Sequence, residues 1–212
     1  MNHFEYSLET AHPNAHALMK EDFFWSPIEE SSPFGSDDGS DAAYGFRQWR
    51  NDHPTQSPVI YLKELVEEWE SPYFDWSEMD TNKIKEYITS RANVSEEEIQ
   101  EKMQRLKEAL KNSSDTSMKI TNDEEIRKIV LSSSQELGGS FLLGQDNAII
   151  GTAFAQFALE GKIDNDIKEL ATTAIKRQLL PMLINKYDND YRDTRKEQLT
   201  KMLDVITKAN YM

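Results

Sequence analysis

The residues best equipped for chemistry lie in one short stretch, Ser36-Asp37-Asp38-Gly39-Ser40-Asp41. Three carboxylates and two hydroxyls around a glycine could gather oxygen ligands for a hard cation such as calcium or magnesium. The stretch lacks the bidentate glutamate that closes a calcium-binding loop of the EF-hand type. The competing reading is a turn plus a helix cap, with Asp and Ser bonding backbone amides and Gly39 at positive φ. His12 and His16 stand four apart and would share a helix face, as a two-histidine metal pair does. Pro13-Asn14-Ala15 separates them, so the glutamate of an HExxH site is missing and surface histidines are the simpler expectation. No metal is therefore expected, with Asp37, Asp38, Asp41, His12 and His16 as the weak candidates.

Other reaction chemistry finds little support. The chain has no cysteine, which removes thiolate nucleophiles, disulfides and sulfur metal ligands. There is no GxSxG nucleophile motif, and Leu131-Ser132-Ser133-Ser134 falls inside a helical pattern. Gly138, Gly139 and Gly144 match neither a dinucleotide nor a phosphate loop and read as helix terminators. Catalytic residues and cofactors are accordingly expected to be none, and an enzyme is the less favoured reading.

The acidic turn sits inside Phe23–Trp49, the segment of the chain densest in aromatics, prolines and glycines. Its rings could line a groove or fill a core. If the segment binds a partner, Trp25, Phe34 and Trp49 would anchor it, with Asp37, Asp38 and Asp41 supplying charge. The run Phe24, Trp25, Pro33, Phe34, Gly35, Asp37, Gly39 and Asp41 resembles a block in small bacterial proteins. Those proteins carry an aromatic-Trp segment and a PFGxDxGxD-like turn. Some are loosely labelled as related to regulators of molybdate metabolism, and some lie near toxin–immunity loci. The likeness covers about the first quarter of the chain and implies a setting, not an activity.

Charge narrows the partners. The chain of 212 residues has a formal net charge of -14. The first 57 residues hold ten acids and three bases, whereas the last 47 hold nine bases and seven acids. Phosphate binding needs clustered Lys and Arg, so nucleic acid is not an expected ligand, and anionic membranes are disfavoured as well. A protein partner with a basic surface would be attracted instead. The leading expectation is a non-enzymatic protein-interaction factor of regulatory or toxin-immunity type. The alternatives are a metal-binding protein or metal-dependent enzyme using the 37–41 turn, and a DNA-mimicking inhibitor. No apolar run reaches the length of a membrane span and no secretory signal is apparent, which points to a soluble, cytoplasmic protein. The sequence leaves oligomeric state open.

The elements that must position these residues are helices. The expected fold is all-α, an irregular bundle of seven to eight helices behind a loop-rich N-terminal segment, in one domain with a weak subdivision at 112–117. Pro13–Lys20 is a first helix, and Asp41 would cap a second carrying Ala42, Ala43, Phe46 and Trp49. Ser57-Pro58 starts a third with Val59, Leu62, Leu65, Val66 and Trp69 on one stripe. Asp80–Arg91 follows, with Ile84, Tyr87 and Ile88 inward. Ser95 and Glu98 form a capping box for Val94–Lys111, with Val94 and Ile99 as a hydrophobic staple. Asn122 opens a helix with Ile126, Ile129, Val130 and Leu137 inward, ended by Gly138-Gly139. Ser140–Gly144 reads as a link and Asp146 as the cap of Asn147–Glu160. That helix is the most apolar and the expected centre, its Gly151, Ala153 and Ala155 admitting a close neighbour and Gly161 ending it. Asp164 caps the next helix, Pro181 splits it, and Tyr191–Ala209 closes the chain.

Overall fold

A largely apolar helix with no polar outer face must be surrounded by others, and α7 (Leu137–Glu160) meets that condition. Its residues Ala148, Ile149, Ile150, Ala153, Phe154, Ala155, Phe157 and Ala158 are all buried. A computed structural model describes residues 4–69, 71–90, 95–112, 122–133 and 137–209. Among these the protein is all-α, with ten helices, eight of them of seven residues or more, and no strand. Around α7 stand α1 (Pro13–Leu18), α2 (Asp37–Asp52), α3 (Pro58–Glu68), α4 (Thr81–Ile88) and α8 (Asn165–Gln178). The short α9 (Pro181–Ile184) and α10 (Asn189–Lys208) pack against α8 and each other. Each fully buried Phe or Ile of this core contributes roughly 1.5–3 kcal/mol over an exposed one.

The local signals explain most boundaries. The Ser57 hydroxyl accepts the Val59 amide at 3.1 Å and Pro58 opens α3. Asp80 accepts the amides of Asn82 and Lys83 and so caps α4. Gly161 ends α7 with φ of +68°, a conformation glycine adopts without steric cost. Pro181 opens α9 after α8 has stopped at Gln178, because proline cannot continue the preceding hydrogen bonds.

Three expectations are corrected. The 36–41 stretch does hold a helix cap, but the cap is Ser36 and not Asp41: the Ser36 hydroxyl accepts the Gly39 amide at 3.1 Å, and residues 37–41 are the first turns of α2 and not a turn before it. Gly39 has no positive φ; it is a helical residue at a crossing. A Cβ on Gly151 would lie 2.4 Å from the Gly39 carbonyl oxygen, so α2 and α7 meet backbone to backbone. The glycines of 138–144 do not terminate a helix either, because α7 runs straight through them. A Cβ on Gly138 would lie 2.1 Å from the Tyr87 carbonyl oxygen, and one on Gly144 would lie 3.0 Å from the Asp38 carboxylate. These glycines admit α4 and α2 against the first turns of α7. Ile129 is the third correction, 38% exposed where an inward position was expected.

Helices α5 (Glu96–Asn112) and α6 (Asp123–Ser133) pair with each other over a separate cluster of Ile99, Met103, Ile126 and Val130. The capping box of α5 is formed: Ser95 accepts the Glu98 amide at 3.2 Å, and Glu98 accepts the Ser95 amide at 2.8 Å. Val94 of the staple, the stretch 113–117 of the subdivision, Arg91 and the Leu137 side chain lie outside the described residues.

Candidate functional site

The structure separates the residues singled out by spacing. Asp37 and Asp41 are exposed at the start of α2, while Asp38 is half-buried against Gly144. Burial raises the Asp38 carboxyl above its ordinary range, and Asp37 and Asp41 raise it further. Phe34 is buried and stacks on Tyr6 with centroids 4.5 Å apart. Trp25 donates its indole N–H to the Met19 carbonyl at 2.8 Å. Trp49 stacks on His53 with centroids 4.4 Å apart. The N-terminal segment itself is tied to α2 by the Tyr6 hydroxyl, which donates to the Ala43 carbonyl at 2.8 Å, and to α7 by Phe24, whose ring lies 5.9 Å from that of Phe154.

His12 caps α1, its Nδ1 accepting the Asn14 amide at 3.2 Å. Its ring occupies the space where a Gly161 Cβ would stand, a packing role. His16 is exposed on a shallow hollow of about 340 Å³ with Leu8, Glu9, Ala11 and Pro13. Among the described residues no group of three or more His, Asp or Glu is placed to hold a metal ion.

What the fold does assemble is a buried polar network between α7, α8, α10 and the connector of residues 71–80. Arg177 of α8 is fully buried, as is Asp146. The Arg177 Nε donates to both Asp146 oxygens at 3.2 Å and Nη2 donates to Oδ1 at 2.5 Å. Its Nη1 donates to the carbonyls of Trp76 at 3.0 Å and Glu78 at 2.8 Å. Asp146 is thus an ion-pair partner and not the helix cap expected of it. Burial pushes its carboxyl up to about 6, against the opposing pull of Arg177 and Arg195. Gln145 donates to Ser71 Oγ and Tyr87 Oη, each at 3.2 Å, and accepts the Trp76 indole N–H at 2.8 Å. Arg195 of α10 donates to Ser31 O and to Gln178, which in turn donates to Asn147. Its burial lowers its affinity for its proton, opposed by Tyr187, Tyr191 and Asp146.

Two cavities flank this network. One of about 270 Å³ lies between α7, α8 and α9, with Leu142, Leu143, Leu183, Lys186 and Tyr187 in its wall and Asp146 behind it. The other, about 700 Å³, runs between α3 and the irregular connector of residues 71–80. Val59, Val66, Phe74, Trp76 and Leu170 give it an apolar lining. Tyr73 lines the same groove while 89% exposed. Exposed Lys63, Glu67 and Asp75 complete the lining. The Ser77 hydroxyl and amide both donate to Asp75 Oδ1, at 2.7 and 2.9 Å, and hold its carboxyl below the usual range.

Comparison of the chain with protein-family models, curated proteins and solved structures returns no match. Spacing motifs missed Gln145, Asp146, Arg177 and Arg195, yet one signal was present. Arg195 and Gln198 lie on the same helical stripe as Leu199, Met202 and Ile206, and polar residues on a core-facing stripe imply buried partners. Among the described residues no helix is long and apolar enough to cross a membrane.

Proposed function

We propose that this protein is an interaction factor that docks a basic segment of another protein in the groove between α3 and the 71–80 connector. The observation that carries this reading is the groove itself, about 700 Å³ with an apolar lining and an almost fully exposed Tyr73. Exposed aromatic side chains beside an apolar pocket are the usual anchors of an interface centre. Asp75 and Glu67 at its edge, and Glu64 and Glu68 exposed on α3, outnumber Lys63. Together with the net charge of -14 they favour a partner rich in Lys or Arg. A regulatory or immunity role, the setting implied by the sequence resemblance, would use such docking without catalysis.

The test uses labelled peptides that interleave Lys with Leu or Phe, against peptides with Glu in place of Lys, followed by fluorescence anisotropy. Basic amphipathic peptides should bind and weaken with added salt. Tyr73→Ala and Asp75→Lys change exposed residues and should each weaken binding by about tenfold, or 1.4 kcal/mol. Equal binding of the acidic and basic series, or no effect of either substitution, would sink the reading.

A further inference from the structure

The buried charges of the bundle do not balance. Among the described residues the charged side chains buried in the core are Asp146, Arg177 and Arg195, two cations against one anion. Asp146 is committed to Arg177. Arg195 donates to neutral oxygens, those of the Ser31 carbonyl at 2.6 Å and of the Gln178 side chain. Glu29, half-buried two residues before Ser31, accepts from Gln198 and from the Ser31 hydroxyl and forms no ion pair with Arg195. A buried cation without a counterion is costly, and an anion supplied from outside the chain offsets that cost.

We propose that the cavity of about 270 Å³ between α7, α8 and α9 binds a small carboxylic acid with an apolar body. The carboxylate of the ligand meets Lys186 at the mouth, and its body lies against Leu142, Leu143 and Leu183. This site is separate from the groove beside Tyr73 and does not rest on the docking function proposed above.

The lining sets the class of ligand. Two of its polar side chains are already engaged: Arg177 holds the Asp146 carboxylate, while Gln178 accepts from Arg195 and donates to Asn147. The polar lining groups with capacity left are the Lys186 ammonium and the hydroxyls of Ser140 and Tyr187. Each can donate to an anion, and Lys186 alone carries charge. Lys186 and Ser140 are exposed, so the mouth is open to solvent there. A Cβ on Gly139 would lie 3.5 Å from the Lys186 Nζ, and the bare glycine leaves that approach clear. In a chain of net charge -14, Lys186 forms no ion pair among the described residues. Gln178 lines the cavity and carries Arg195 behind it. A carboxylate in the cavity therefore meets Lys186 directly and feels Arg195 through the poorly polarisable core. An amine would face Lys186 and find Asp146 taken, and a neutral ligand would leave the charge excess unanswered. The size agrees as well. A dry cavity of about 150 Å³ accommodates benzene, so about 270 Å³ has room for a ring or short chain with a carboxylate attached.

The experiment titrates the isotope-labelled whole chain with phenylacetate and with hexanoate at neutral pH, following backbone amide resonances. Phenylacetamide, hexanamide and phenethylamine are titrated in parallel. At least one acid should bind saturably, with Kd on the order of a millimolar as befits so small a ligand. The shifts should centre on Leu143, Leu183, Lys186 and Tyr187. The matching amide should bind about tenfold more weakly, and phenethylamine more weakly still. Lys186→Gln changes an exposed side chain and should weaken the acid by about fivefold while leaving the amide unchanged. Ser140→Phe, which fills the mouth from an exposed position, should weaken acid and amide alike. If either variant alters the fold, as its own spectrum reads out, the preference of the native chain for acid over amide still decides. No saturable binding of either acid, equal binding of acid and amide, shifts centred outside the cavity wall, or an unchanged acid affinity in a folded Lys186→Gln would each overturn the site. Tyr73→Ala should bind the acid as the native chain does, so failure of the cavity and failure of the groove are told apart.

Discussion

The α5–α6 pair and the bundle around α7 are both helical, yet they are held by different physics. In the pair, a four-residue apolar cluster lies between two charged outer faces. Its crossing is laced by ion pairs near the surface: Arg127 with Glu96, and Lys107 with Asp123 at 2.8 Å. In the bundle, α7 is buried along most of its length, crosses α2 through glycines, and buries an Asp–Arg pair that solvent does not reach. Exposed ion pairs contribute little, because water screens them and long side chains must be ordered. Buried ones add little net stability over an apolar replacement, yet losing one partner is costly. The same chemical pairing is therefore nearly dispensable in one region and decisive in the other.

Four substitutions would break or sharpen that contrast. Arg177→Ala leaves Asp146 buried without its partner and should destabilise the bundle by about 3–5 kcal/mol in urea melts. A cost below about 1 kcal/mol would place the pair in the same class as the surface bridges. Ile126→Ala empties the centre of the small cluster and should cost roughly 2–5 kcal/mol. Hydrogen exchange should locate that loss in α5 and α6 and leave α7 protected; equal loss in α7 would merge the two regions into one cooperative unit. Gly151→Ala drives a methyl group onto the Gly39 carbonyl and should cost about 1–3 kcal/mol by overpacking. A neutral result would show that the α2–α7 crossing can open freely. Arg127→Ala removes the bridge to an exposed Glu96, whose carboxyl Arg127 holds down at about 2. It should change the melting temperature least of the four, and any effect should fade as salt is raised.

How legible each region was follows the same division. The α5 capping box, the Ser57-Pro58 start and the Pro181 break were readable because each is a local signal, completed within a few residues of chain. Asp146 was misread for the opposite reason. An aspartate just after a glycine-rich stretch looks like a cap until α8 delivers Arg177 from 31 positions along the chain. Gly138 and Gly144 were ambiguous in the same way, since a glycine serves equally as a terminator or as a point of close approach. Only the Tyr87 carbonyl and the Asp38 carboxylate, brought there by other helices, decide between the two. The groove was invisible because its lining residues come from α3, the connector, α7 and α8 at once.

By itself the amino-acid sequence determined an all-helical chain, the identity of its central helix, its acidic character and most of its helix boundaries. These follow from periodicity and from caps that act over one turn. Tertiary structure decided that the acidic 36–41 stretch is the first turn of α2, that Asp146 and Arg177 meet in the core, and that a groove opens beside Tyr73. Each of those depends on which helices approach one another, and burial and ion pairing are properties of that approach and not of any segment alone.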